Sequence, residues 1–155
     1  MTVCVKDRIN YFGRVINGTM ELSKTGEIAA QHWNNITVYY SNIELDEFVV
    51  MPNHVHGIIV IKNCDTENNG KSGGITGHYN PMTGNSLSRI IRWYKGRTAF
   101  EIHKLRGDGS FQWQSRFYDH IIRGEQSLGN IRKYIIDNPL KWAEDSEYRD
   151  DSNAV

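Results

Sequence analysis

Residues 51–61 read MPNHVHGIIVI and form the most informative stretch of this chain. The apolar run that starts at Gly57 is short and rich in β-branched residues, so it predicts a buried strand. Side chains alternate across a strand, which places His54 and His56 on one face and Val55 on the other. Two neighbouring imidazoles on a rigid strand make half of a metal site. The alternative is a structural pair, in which each buried ring needs its own polar partner.

The residues after the second histidine exclude two other classes of histidine enzyme. A histidine-triad nucleotide hydrolase would carry a third histidine at position 58, where this chain has Ile58. A two-histidine phosphoesterase would repeat His-x-Thr/Ser, but His56 is followed by Gly57 and Ile58. The pair therefore belongs to another kind of site.

Size and composition are those of a single globular domain. The chain has 155 residues, of which 39% are hydrophobic, and a mean hydropathy of −0.56. We expect one domain over residues 1–155. No apolar run approaches the ~20 residues of a membrane helix, and the N-terminus lacks a signal-peptide pattern, so no membrane partner is expected. Cys4 and Cys64 are too few for a disulfide framework, which favours a cytoplasmic location.

Charge is balanced overall but unevenly distributed. The chain has 18 basic and 18 acidic residues, yet residues 89–141 contain eleven basic against five acidic residues, a net of +6. An acidic tail follows over residues 144–155. A local basic field indicates a polyanionic partner, although a solvated helix face would also explain single members of the set.

The order of predicted elements indicates an α+β fold. Asn17-Gly18 predicts a type I′ turn within a hairpin over residues 11–22, and residues 63–84 have the composition of a flexible loop. Without the hairpin and the last helix, the order is β-α-β-β-α-β, which predicts a ferredoxin-like antiparallel sheet. The predicted strands are 2–8, 43–51, 54–61 and 111–123, and the predicted helices are 23–40, 86–103 and 125–137.

The last predicted helix offers a second half for the histidine site. Tyr134 and Asn138 are four residues apart and share one helix face. An amide oxygen suits a hard cation, so His54, His56 and Asn138 together could hold Mg²⁺ or Mn²⁺. Tyr134 would then face what the metal binds. A tyrosine hydroxyl attacks a phosphodiester only where a cation offsets the developing charge.

Other residues compete for these roles. Tyr118 is a rival nucleophile, but it lies in the predicted strand 111–123, near aromatic residues that favour core or stacking roles. Asp119 and Asp137 are rival ligands. Asp137 points about 100° away from Asn138 around the helix, and Asp119 lies in the strand.

At these residues the sequence strongly resembles the HUH-type single-tyrosine transposases, the family of small bacterial insertion-sequence transposases and REP-associated tyrosine transposases. The matching stretches are 51–57 (MPNHVHG), 111–123 (FQWQSRFYDHIIR) and 134–141 (YIIDNPLK). The resemblance implies Tyr134 as the nucleophile and His54, His56 and Asn138 as ligands of Mg²⁺ or Mn²⁺. Asn138 resembles the REP-associated branch, because the insertion-sequence branch usually has glutamine at this position. Family members often form homodimers.

The resemblance implies a transposase or endonuclease that cleaves and rejoins single-stranded or hairpin DNA, formed by palindromic repeats, through a 5′-phosphotyrosine. A second hypothesis is a catalytically silent regulator, descended from such an enzyme, that binds hairpin DNA. A replication or mobilisation initiator with the same chemistry is a third, but its usual helicase or primase domain does not fit in 155 residues.

Overall fold

The computed structural model describes residues 1–62, 86–145 and 147–148. The predicted loop at 63–84 and most of the predicted acidic tail at 144–155 lie outside the described residues. The strands are β1 (Thr2–Cys4), β2 (Gly13–Ile16), β3 (Thr19–Leu22), β4 (Ile43–Met51) and β5 (His54–Ile61). The α-helices are α1 (Lys24–Asn34), α2 (Ile36–Tyr39), α3 (Leu87–Arg106) and α4 (Glu125–Asp137), and short 3₁₀ helices cover Lys6–Arg8 and Pro139–Glu144.

The main sheet is antiparallel, with β5 in the centre between β1 and β4. The register opposes Thr2 to His56 and His56 to Val49 across the three strands. A mixed α/β architecture with an antiparallel sheet is therefore confirmed. The separate hairpin is also confirmed: β2 pairs with β3, and Asn17 and Gly18 both adopt the positive φ that a type I′ turn requires.

Two predicted elements are shorter than expected. The strand predicted over residues 2–8 ends at Cys4, because Asp7 and Arg8 have positive φ and the chain turns through a 3₁₀ helix there. The helix predicted over residues 23–40 begins as expected, since the Ser23 hydroxyl accepts from the Gly26 N–H, but it is interrupted at Asn35. The Asn35 N–H bonds to carbonyls of the preceding turn and ends α1, and α2 follows as a separate short turn.

The prediction of a regular strand over residues 111–123 is wrong. Within it, only Trp113 and Tyr118 form isolated bridges, which pair with Val5 and Thr2 along the free edge of β1. The reason is a side chain from α3. The Lys95 ammonium donates to the carbonyls of three consecutive residues at 2.6, 3.4 and 3.1 Å, so these carbonyls do not form the hydrogen bonds of a regular β-ladder. These residues are Gln114, Ser115 and Arg116. The segment thus occupies the fourth position of the sheet without forming a regular strand.

The sheet has a helical layer on each face. Helices α1 and α3 pack on one face around fully buried Trp33 and Tyr94, whereas α4 packs against β4 and β5. Val55 and Gly57 face the first layer, and His54 and His56 face α4, as the alternation of side chains predicts. None of the helices within the described ranges is long and apolar enough to cross a membrane.

Position 57 has room only for glycine, because Trp33 occupies the space in which a side chain would lie. A Cβ at this position would overlap the indole ring, which is fully buried. We expect Gly57→Ala to lower the free energy of unfolding by about 1–3 kcal/mol, measured by urea denaturation. The matched control is Gly96→Ala in α3, where a Cβ meets nothing within 4 Å and should instead stabilise the helix by about 0.5–1 kcal/mol. Equal effects of the two substitutions would contradict this account.

Candidate metal and nucleophile site

His54 and His56 lie side by side on β5, with ring centroids 4.4 Å apart. Both are buried, with 0% and 6% of their surface exposed. The face that carries them is covered by α4 and by the 3₁₀ helix that follows it, so that the His54 ring contacts Trp142 and the His56 ring contacts Tyr134. The structure therefore brings the two predicted ligands together beneath the predicted nucleophile.

The orientation of His54 is set by the residue before it. The Asn53 amide nitrogen donates to two carbonyls, those of Arg8 at 3.0 Å and Glu147 at 2.9 Å. Its amide oxygen is therefore an acceptor, and it lies 2.9 Å from His54 Nδ1. Nδ1 must carry the proton, which leaves a lone pair on Nε2. That atom is buried and has no hydrogen-bond partner among the described residues.

His56 is held by the edge strand. Its Nδ1 lies 2.7 Å from the Thr2 hydroxyl, and its Nε2 lies 3.4 Å from the Tyr134 hydroxyl. In a metal-binding histidine, a hydrogen bond at the ring nitrogen that does not bind the metal fixes the tautomer. Sequence reasoning identified both histidines but missed Thr2 and Asn53 as their supports. The signal for Thr2 lies in strand pairing, which the sequence of one strand does not reveal.

Both imidazoles are neutral at neutral pH. Burial lowers the pKa of His54 well below its usual range, and the neighbouring His56 and Arg8 lower it further. Burial also lowers the pKa of His56 to about 4, against an opposing effect of Asp145. A neutral imidazole is the form that binds a metal, so neither ring needs to lose a proton before it can act as a ligand.

Tyr134 and Asn138 reach the histidines from α4, on the shared helix face that their spacing predicts. Tyr134 is half exposed, with its hydroxyl directed towards His56, and Asn138 is buried at the end of the helix. The Asn138 amide nitrogen donates to Asp145 at 3.0 Å. Its amide oxygen is buried and finds no partner within the described part of the chain. An acceptor atom without a donor is free to coordinate a cation.

Asp145 is the residue that sequence reasoning missed. The sequence pattern places it only in the acidic tail, yet ligand atoms of Asp145, His54 and His56 all lie within 4.8 Å of one another. The chain remains helical after Asn138, and the 3₁₀ helix Pro139–Glu144 returns Asp145 to the site. Proline fits the first turn of a helix, so Pro139 starts this turn as well as ending α4.

The rival residues lie elsewhere. Asp137 pairs with Lys133 at 3.0 Å on the surface of α4, and Asp119 interacts electrostatically with the Met1 ammonium. Tyr118 is 60% exposed and pairs with the outer edge of β1, so that β1 separates it from the strand that carries the histidines. Neither aspartate is grouped with the two histidines in the part of the chain that the structure describes.

The donor set fits a divalent cation. Two buried acceptor atoms, His54 Nε2 and Asn138 Oδ1, lack partners among the described residues, and the other atoms at hand are an imidazole nitrogen and a carboxylate. Nitrogen with oxygen donors suits Mn²⁺ and Mg²⁺. A cavity of about 280 Å³ adjoins the set and is lined by Tyr134, Asn138, Lys141, Glu144 and Asp145.

The nucleophile candidate is not activated by the protein alone. Burial and the charge of Asp145 raise the pKa of Tyr134, while a hydrogen bond with Asn138 lowers it. The phenol therefore stays protonated at neutral pH. Attack by its oxygen requires an added positive charge, which is consistent with a site built for a cation.

Comparison with known proteins gives a family and a fold. The chain is 35% identical over 152 residues to an uncharacterized protein of Haemophilus influenzae, a match that covers 97% of this chain and 84% of that protein. The two proteins belong to one family. No family model matches the chain.

A solved structure shares the fold. It is a REP-associated tyrosine transposase bound to a REP hairpin, with a TM-score of 0.58 and 19% sequence identity. The match covers 90% of this chain and 64% of the transposase chain, so this chain spans somewhat less than two thirds of that protein.

Proposed function

We propose that this protein is a metal-dependent tyrosine transposase or endonuclease that cleaves and rejoins single-stranded or hairpin DNA. The observation that carries the proposal is a pair of buried acceptor atoms, His54 Nε2 and Asn138 Oδ1, that have no partner in the described ranges and lie near the Tyr134 hydroxyl. Buried polar atoms are almost always satisfied, and both of these side chains lie next to Asp145, so the two atoms together indicate a missing ligand. The fold shared with a transposase supports the same function.

In this proposal Tyr134 forms a covalent bond with DNA. Its oxygen attacks the phosphorus of a phosphodiester, the bond from phosphorus to the 3′ oxygen breaks, and the phenol proton passes through water to the departing 3′ oxygen. The products are a 5′-phosphotyrosine and a free 3′-hydroxyl, which can reverse the reaction on another strand. Mg²⁺ or Mn²⁺, held by His54, His56 and Asn138, would polarise the phosphate and offset its charge.

DNA rather than a small molecule is the substrate that the surroundings favour. The +6 segment over residues 89–141 includes α4 and the chain leading to it, and Lys141 lines the cavity beside Tyr134. We propose hairpins from palindromic repeats as the specific partner, by analogy with the REP hairpin bound to the structural neighbour.

A silent DNA-binding regulator is the second candidate, and the contacts of Asp145 favour it. The Asp145 carboxylate accepts from Asn138 and contributes to the raised pKa of Tyr134. A site that keeps its phenol protonated would bind DNA without cutting it. The two candidates make the same binding prediction and differ only in covalent chemistry.

A covalent-adduct assay separates the two candidates. Purified protein is incubated with hairpin oligonucleotides from the repeats of its own genome and with Mn²⁺ or Mg²⁺, and adducts are resolved on a denaturing gel. We expect a slower band that carries both protein and labelled DNA and that disappears with EDTA. If hairpins are bound but no adduct forms with either metal, the regulator is the correct description.

A further inference from the structure

An exposed tyrosine borders the face of the sheet that carries the histidines. Tyr118 pairs with Thr2 through two backbone hydrogen bonds of 2.7 and 2.9 Å, and Thr2 pairs with His56. Opposed residues of antiparallel strands point to the same face. Tyr118 therefore lies on the face of His56, two strand spacings or about 10 Å away. Its ring is 60% exposed, although the residue before it packs against the core.

The chain after Tyr118 leads from this edge to the helix of the nucleophile. A groove of about 520 Å³ runs along it and ends at the first turn of α4. The groove is lined by Asp119, His120, Ile121, Arg123, Gly124 and Ser127. An extended polymer lying in this groove would pass Tyr118 at one end and would reach the start of the helix that carries Tyr134 at the other.

Two arginines along this path have no acidic partner among the described residues and can bind anions. Arg116 and Arg123 are exposed, and neither forms an ion pair with an acid in the described ranges. In contrast, Arg132 and Lys133 of α4 are paired with Asp46 and Asp137. Besides Lys141 at the cavity, basic charge without an acidic partner among the described residues is therefore present on the segment that carries Tyr118.

An exposed aromatic ring between unpaired arginines is the combination that holds single-stranded nucleic acid, because a free base stacks on the ring and phosphates contact the cations. Bases inside a duplex are already stacked on each other. We propose that Tyr118, with Arg116 and Arg123, forms a stacking site for an unpaired base of single-stranded DNA that extends to Tyr134. The inference rests on the proposed function for its direction, but it concerns binding alone.

The test measures binding without cleavage. All variants carry Tyr134→Phe and are kept in EDTA, and the probe is a short single strand with a fluorescent 2-aminopurine base. Tyr118→Ala should weaken binding by between about 5-fold and about 150-fold, the range for loss of one stacked base. Tyr118→Phe keeps the ring and should recover most of this loss. The control is Tyr39→Ala, which removes a tyrosine that is 59% exposed and packs on Trp93.

The arginines are tested by salt dependence. Arg116→Gln and Arg123→Gln should each reduce the slope of log affinity against log salt by about 0.7, the value for one phosphate contact with a single strand. Unchanged slopes in both variants would show that the strand does not follow this segment.

Further outcomes separate this proposal from the catalytic one. Wild-type affinity in Tyr118→Ala overturns the stacking site and leaves cleavage by Tyr134 standing. Loss of affinity in Tyr118→Ala, together with no adduct in the wild-type protein, supports the stacking site and removes the catalytic proposal. If Tyr118→Ala instead converts a DNA-free dimer into a monomer in sedimentation, the exposed segment is a contact between two copies and the proposal is wrong.

Discussion

Tyr134→Phe should abolish the covalent adduct with DNA while leaving DNA binding and the fold unchanged. The substitution removes one oxygen, the atom that lies 3.4 Å from His56 Nε2. Loss of a catalytic nucleophile costs several orders of magnitude, so adduct formation should fall by at least about 10³-fold. Because the side chain is half exposed, the free energy of unfolding should change by less than about 0.5 kcal/mol. Gel quantification of the adduct and urea denaturation measure the two quantities.

The control for this prediction is Tyr118→Phe, which still forms the adduct if Tyr134 is the nucleophile. Tyr118 is the more exposed of the two tyrosines, but its described surroundings contain no group of potential metal ligands. Digestion of the trapped complex and mass spectrometry should locate the phosphotyrosine at Tyr134. An adduct on Tyr118, or cleavage by Tyr134→Phe at the wild-type rate, would assign the nucleophile elsewhere.

Local patterns in the sequence account for the parts of the site that lie on one element. The alternation of a strand was enough to place His54 and His56 on one face, and helical periodicity was enough to place Tyr134 and Asn138 together. Both inferences depend only on the geometry of the backbone within a few residues. For the same reason the Asn17-Gly18 turn was predictable from two residues.

Features that depend on distant contacts were not predictable in this way. The regular strand expected over residues 111–123 is disrupted because Lys95, on a different helix, takes carbonyls that a ladder would use. Asp145 enters the site because the chain makes a further helical turn after Pro139. A proline after a helix signals an ending in one context and a new first turn in another, and the sequence around it does not distinguish the two.

His54→Ala should remove the affinity of the protein for Mn²⁺. The imidazole contributes a buried lone pair that no described residue satisfies, and Asn53 fixes the tautomer that exposes it. Loss of a supporting residue in a metal site costs about 10–100-fold in affinity, so loss of a ligand should cost at least about 100-fold. The measurement is calorimetric titration with Mn²⁺ in the absence of DNA, which needs no assumption about catalysis.

Stability must be separated from ligation, because His54 is fully buried against Trp142 and its truncation leaves a cavity. His32→Ala is the matched control, since it removes another buried histidine, one that packs against Trp93 away from the site. Both variants should lose stability in the absence of metal. Mn²⁺ should then raise the melting temperature of wild type and His32→Ala, as binding to the native state requires, but not that of His54→Ala. If His54→Ala and His56→Ala both bind Mn²⁺ as the wild type does, the two histidines are structural, and the orphaned atoms beside Tyr134 need another explanation.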